Sequence, residues 1–261
     1  MFTVIRNWWH ERIVKRSAIS ESQWNQAFAQ LPLLNGLTAK ERAQLRKLAI
    51  LFLHYKSLEG AHDLVISQEM ALTIALQACL PILHLGFYWF DGWVSVIVYP
   101  AAFAPERVYM DEMGLEHRSN AVLSGESWQR GPVILSWEDS QHAGIADGHN
   151  LVIHEFAHKL DGLNGSANGF PPLHKNMRAA KWSKVLGEAF EDFQYKVSRG
   201  AYVTIDTYAA TSPAEFFAVL SEVFFERPDD LHVLYPQVYD QFKQFYRQDP
   251  LARYISPIDS P

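Results

Sequence analysis

The segment Leu151-Val152-Ile153-His154-Glu155-Phe156-Ala157-His158-Lys159-Leu160-Asp161 constrains this chain more than any other. His154 and His158 stand at i and i+4, one helical turn apart on one face, so both imidazoles can reach a single ion. Zinc suits imidazole nitrogen and tolerates an open position for water. Glu155 follows the first histidine directly. It can bond that water and take its proton as the water attacks a carbonyl. The flanking residues are apolar, which predicts a buried helix. Two imidazoles and a carboxylate on such a helix need buried partners, and a metal supplies them. The competing reading has two core histidines bonded to backbone, with Glu155 in a salt bridge.

A catalytic zinc site needs a third protein ligand. The metzincin extension requires a glycine and a histidine where this chain has Asp161 and Asn164, so that class is excluded. Asp161 shares a helix face with His154 and can ligate directly or orient a ligand histidine. Downstream, Ser212-Pro213-Ala214-Glu215 opens an apolar helix in which Glu215 and Glu222 share one face. In a gluzincin arrangement Glu215 is the third ligand, and Glu222 accepts a bond from a ligand or pairs with a base. The alternative is that both carboxylates pair with Lys or Arg at a rim. Just upstream, Tyr208 is the candidate to hydrogen-bond the oxyanion that develops on the attacked carbonyl, the competing reading being an ordinary half-buried tyrosine.

Composition narrows the setting. The chain has 261 residues, 48% hydrophobic and 20% charged, which fits a globular protein able to bury a core unaided. Its formal net charge of -6 argues against direct nucleic-acid binding by the whole molecule. Cys79 is the single cysteine, so neither an internal disulfide nor a cysteine-based zinc site can form, and a reducing compartment fits. Charges interrupt the apolar residues near the start, so no secretory signal is read there, and no apolar run is long enough for a membrane span. The expected location is cytoplasmic. The basic, Trp-bearing start (Trp8, Trp9, Lys15, Arg16) is read as a helix docked on its own domain rather than on a membrane surface.

The fold is expected to be α+β, mostly α, with a small central sheet. Ser20-Glu21-Ser22-Gln23 and Thr38-Ala39-Lys40-Glu41 match the capping box. A further helix is expected from Ser67 to about Leu80, stopped by Pro81. Segments 94–99 and 132–137 read as strands. Helices are expected again near 150–161, 176–198, 212–226 and 235–247. In the last of these Phe242, Phe245 and Tyr246 recur at core spacing. Residues 1–90 form a helical N-terminal lobe packed on a catalytic part, 91–261, in one compact unit.

The run Ile153-His154-Glu155-x-Ala157-His158-Lys159-Leu160-Asp161, the later Pro213-Ala214-Glu215-x-Phe217-Ala218-Val219-Leu220-Ser221-Glu222 and the ending Phe245-Tyr246-x-Gln248-Asp249-Pro250-Leu251 resemble the Mlc titration factor A family. Gly114-Leu115-x-His117, Ser124-Gly125-x-Ser127-Trp128-Gln129 and Leu80-Pro81-x-Leu83-x-Leu85-Gly86 resemble it too. The resemblance spans about Leu31 to Leu251, nearly the whole chain. The resemblance implies a bacterial cytosolic zinc metallopeptidase with a gluzincin-like domain and aminopeptidase-type activity. It also implies binding to the glucose-responsive repressor Mlc, which is drawn off DNA so that a sugar-uptake transporter is expressed. By resemblance His154, His158 and Glu215 are zinc ligands, Glu155 is the general base and Tyr208 matches a tyrosine of the family motif. His117 matches a family histidine linked with the metal site, where a fourth protein ligand would mark a latent state.

Two functions are therefore expected. One is peptide hydrolysis at a single zinc ion, with the segment Val133–Trp137 holding the substrate by strand addition. The other is a non-catalytic regulatory protein that binds a transcription factor and carries structural zinc. An intact Glu155 favours catalysis, since a structural site has no need of it.

Overall fold

Ser20 and Thr38 each open a helix in the way their spacing predicts. In both, the hydroxyl accepts from the amide three residues on, and Gln23 or Glu41 returns a bond to the cap. The computed structural model describes the backbone of residues 2–101, 107–110, 116–119, 131–142 and 144–255. Of these, the side chains of 2–4, 107–110, 116–119, 142 and 254–255 lie outside the description. The motif residues Gly114 and Leu115 and the run Ser124–Gln129 fall outside it as well.

The first helices are α1 (Phe2–Lys15), α2 (Glu21–Ala29) and α3 (Ala39–Tyr55). Then come strand β1 (Ser57–Gly60), helix α4 (Gln68–Cys79) and strand β2 (Ser95–Tyr99). A two-stranded antiparallel pair follows, β3 (Arg107–Met110) with β4 (Glu116–Ser119). Strand β5 (Val133–Ser136) leads directly into α5 (Trp137–His142). The chain is then helical: α6 (Leu151–Asp161), α7 (Ala179–Ser198), α8 (Pro213–Glu226), α9 (Pro228–Leu234), α10 (Pro236–Tyr246) and α11 (Pro250–Ile255). Each of the last four begins on proline, whose missing N–H costs nothing in a first helical turn and whose fixed φ suits it.

The fold is thus α+β and mostly helical. Its sheet is parallel, in the order β1-β2-β5, with β2 in the middle. Val96 and Val98 of β2 point into the core. The short β1 (SLEG) escaped the sequence reading because it lacks apolar alternation; its ladder to β2 holds it instead. Trp137, expected at the end of a strand, instead starts α5.

Helix α4 is buried on all sides, as a helix with an almost unbroken apolar sequence should be. Its residues and those of α6 and α8 belong to one hydrophobic core that runs from Trp24 to Tyr246. Phe156 pins α6 within it. Its ring lies 5.2 Å from Phe90, 5.5 Å from Trp93 and 5.6 Å from Phe52. Burying a phenylalanine so completely contributes about 1.5–3 kcal/mol. This anchoring fixes the rotation of α6 and so determines where His154 and His158 point. Phe242, Phe245 and Tyr246 are fully buried in α10, as their spacing predicts.

Candidate metal centre

Helix α6 starts at Asn150, whose side chain accepts from Ile153 N at 2.9 Å. With Val152, Ile153, Phe156, Ala157 and Leu160 turned into the core, the histidines face α8, the helix against which α6 packs most extensively. In α8 the Ser212 hydroxyl caps the Glu215 amide at 3.2 Å. A capping box would send the Glu215 carboxylate back to the Ser212 amide. Here that carboxylate goes to the two histidines.

Glu215 Oε2 lies 3.1 Å from His154 Nε2 and 3.2 Å from His158 Nε2, and the two Nε2 atoms are 3.2 Å apart. His154, His158 and Glu215 form the group able to hold a metal ion among the described residues. A tetrahedral ion with bonds of about 2.0–2.1 Å needs ligand–ligand edges of about 3.3–3.4 Å. The triangle is within a few tenths of an ångström of that.

The donor set fits as well. Glu222 Oε1 lies 2.7 Å from His154 Nδ1, and its Oε2 accepts the Asn150 backbone N–H at 2.5 Å. With Nδ1 donating to Glu222, His154 Nε2 presents a lone pair to the centre. Lone-pair atoms of a histidine and a carboxylate crowd this closely only around a positive charge, a proton or a metal ion. The two carboxylates and the histidines also shift one another's proton affinity. Burial works to lower His154, but its bonds to Glu215 and Glu222 outweigh it and raise the imidazole to about 10. Burial works to raise Glu215, yet bonds to His154 and His158 hold it at about 2.

Glu155 sits beside this triangle. Burial raises its carboxyl, against the pull of His154 and His158. A general base works best when its pKa approaches the working pH. Tyr208 lies in the short turn Thr207–Ala210, which Asp206 caps by accepting from Tyr208 N at 2.9 Å. Its ring centroid is 6.1 Å from that of His154. Burial and the Glu215 carboxylate raise the phenol to about 12, so it keeps its proton at neutral pH. Lys159, one turn beyond Glu155, donates to Gly131 O at 2.8 Å and ties α6 to the approach of β5, an edge strand of the described sheet.

The structure thus brings together His154, Glu155, His158, Glu215, Glu222 and Tyr208. Asp161 is not part of the group able to hold the ion. That carboxylate is fully buried and accepts Gly169 N–H at 2.7 Å, beside the start of α8. Neither Glu215 nor Glu222 stands at a rim with a lysine or arginine; both are buried against histidine. His117 lies on β4, opposite Tyr109, and its side chain is outside the described residues. Asn150 was legible only as a helix start. Its hold on Glu222 depends on a residue far along the chain, and no local pattern signals it.

Comparison with known proteins agrees with this geometry. Residues 5–247 match the family described as glucose-regulated metallo-peptidase M90. The match reaches nearer the N-terminus than the resemblance, which spans from about Leu31. Mlc titration factor A of Klebsiella pneumoniae subsp. pneumoniae is 41% identical over 247 residues, covering 94% of this chain and 93% of its own length. The proteins of the same name from Salmonella schwarzengrund and Salmonella typhi are each 45% identical over 235 residues, covering 88% of this chain and 87% of their own. With a family match over nearly its whole length and relatives this similar, the chain belongs to the glucose-regulated metallo-peptidase family M90.

Proposed function

We propose that this protein is a zinc-dependent peptidase of aminopeptidase type with a gluzincin-like site, and that it also binds the Mlc repressor. The observation that carries the first half is the triangle of His154 Nε2, His158 Nε2 and Glu215 Oε2, with edges of 3.1–3.2 Å. Those three side chains hold the ion. Zinc bound there supplies a Lewis acid for the scissile carbonyl and makes an attacking water more acidic. Glu155 takes the proton of that water and passes it to the leaving amine. The Tyr208 hydroxyl donates to the oxyanion that forms on the substrate. Glu222 keeps the His154 proton on Nδ1 and so keeps the other nitrogen available to the centre. His117 belongs to this reading as the family histidine linked with the metal site. The stretch 1–90 supports the catalytic part, 91–261.

The second half is supported by the name that the similar proteins carry, Mlc titration factor A. Binding the repressor would remove it from DNA and raise expression of a sugar transporter, with the protein acting on another protein rather than on nucleic acid. Such a partner makes the cytoplasm the working compartment. No described helix is long and apolar enough to cross a membrane.

The experiment compares wild type with Glu155→Gln on the same preparations, for zinc content, peptide hydrolysis and Mlc binding. Hydrolysis should fall by about 100- to 10,000-fold with zinc and repressor binding retained. Wild type that holds zinc and binds Mlc but cleaves no peptide would leave the regulatory reading with structural zinc.

A further inference from the structure

Behind Glu222 lies a group of polar side chains that an apolar core has no need of. Asn150 is fully buried and every polar group it has is engaged. Its backbone N–H donates to Glu222 Oε2 at 2.5 Å, and its C=O accepts His154 N–H at 2.9 Å. Its Oδ1 caps Ile153 N at 2.9 Å, while Nδ2 donates to Glu226 Oε1 and to Gln77 Oε1, both at 2.8 Å. Glu226 is 2% exposed, and its second oxygen accepts Ala146 N–H at 2.6 Å. Gln77, on α4, is anchored in turn by donating to Thr73 O and Ser140 O at 3.3 Å.

This arrangement makes poor sense as a device for stability alone. Glu226 is a buried carboxylate bonded to neutral donors, and apolar residues of like shape would fill its place at least as well. What apolar residues cannot do is fix a carboxylate. Glu215, Glu222 and Glu226 share one face of α8, two turns and then one turn apart. The first touches both histidines, the second touches His154, and the third holds Asn150, which holds the second.

We infer that Asn150 and Glu226 are positioning residues for the metal centre. They lock Glu222 in the one orientation that keeps the His154 proton on Nδ1 and the Nε2 lone pair toward Glu215 and His158. Gln77 ties the same lock to α4, so the centre is braced from three helices. This inference rests on the proposal that those three atoms hold zinc.

The test is zinc affinity, read by competition with a chromophoric chelator at pH 8 on the full chain, alongside thermal melts of the metal-free protein. Asn150→Asp keeps the helix cap, since aspartate caps as well as asparagine. It replaces the donor facing Glu226 and Gln77 with a carboxylate oxygen. Affinity should fall about 10- to 100-fold. Adding Glu226→Gln to it returns the local charge to that of wild type. The introduced amide then donates to the introduced carboxylate and still accepts from Ala146, while Gln77 Oε1 stays opposed to that carboxylate, so the double variant should recover part of the loss. Should the single aspartate variant fail to fold, Glu226→Gln alone decides, because an amide cannot accept from both Asn150 and the Ala146 backbone, so a bond is lost and affinity should still drop. Unchanged zinc affinity with lowered metal-free stability marks a merely structural role and overturns the inference. So does a double variant no better than Asn150→Asp. Wild type that binds no zinc overturns the metal-centre reading, and the inference falls with it.

Discussion

Glu222 Oε1 lies 2.7 Å from His154 Nδ1, so α8 supplies both a candidate ligand and the group that orients the histidine opposite it. Replacing Glu222 by glutamine keeps an acceptor for His154 but points an amide donor at the Asn150 N–H. Zinc affinity should fall by about 10- to 100-fold, measured by chelator competition. An unchanged affinity would show that His154 needs no such partner.

Tyr208 is held near His154 by its own turn, with a phenol raised to about 12 by burial and by Glu215. A hydroxyl that keeps its proton can donate to an oxyanion but cannot serve as a base. Tyr208→Phe should therefore lower kcat by about 100- to 1,000-fold while zinc content and KM change little. A variant whose main change is in KM would make Tyr208 a substrate-binding residue.

Burial raises the Glu226 carboxyl from near 4.5 to about 7. Between those values the folded chain holds that proton more tightly than the unfolded chain does. Stability contributed by the protonated group is therefore present below pH 4.5 and is lost as pH rises through 7. Glu226→Gln does not titrate. The stability of wild type minus that of the variant should fall by up to about 3 kcal/mol across this window. Urea melts of chelator-treated protein at pH 5 and 7.5 measure most of it. A difference independent of pH would place Glu226 near its ordinary value.

Much of this was legible in the residues, and the exceptions have a physical pattern. His154, His158 and Glu155 follow from helical periodicity, and Glu215 from a cap, a proline and an acidic residue on an apolar helix. The long helices showed their starts in Ser20, Thr38, Ser67 and Ser212, all of which cap by side chain. What stayed hidden depends on distant partners. β1 exists because β2 lies beside it. Asp161 has the spacing of a ligand, yet the loop at Gly169 takes its carboxylate. Asn150 and Glu226 stand 76 positions apart and meet only once α6 and α8 pack. A sequence displays its periodicities; it does not display which buried polar groups those periodicities bring into contact.

The central claim is that His154, His158 and Glu215 jointly hold one metal ion. The most direct test is metal content of purified wild type and Glu215→Ala by elemental analysis, with melting temperature read before and after chelation. Wild type should carry one zinc per chain and melt lower once it is removed, since an ion at 100 times its Kd stabilises by about 2.7 kcal/mol. Glu215→Ala should hold little zinc and show no response to the chelator. Full zinc retention in that variant, with an unchanged response to chelation, would contradict the account and move the third ligand elsewhere.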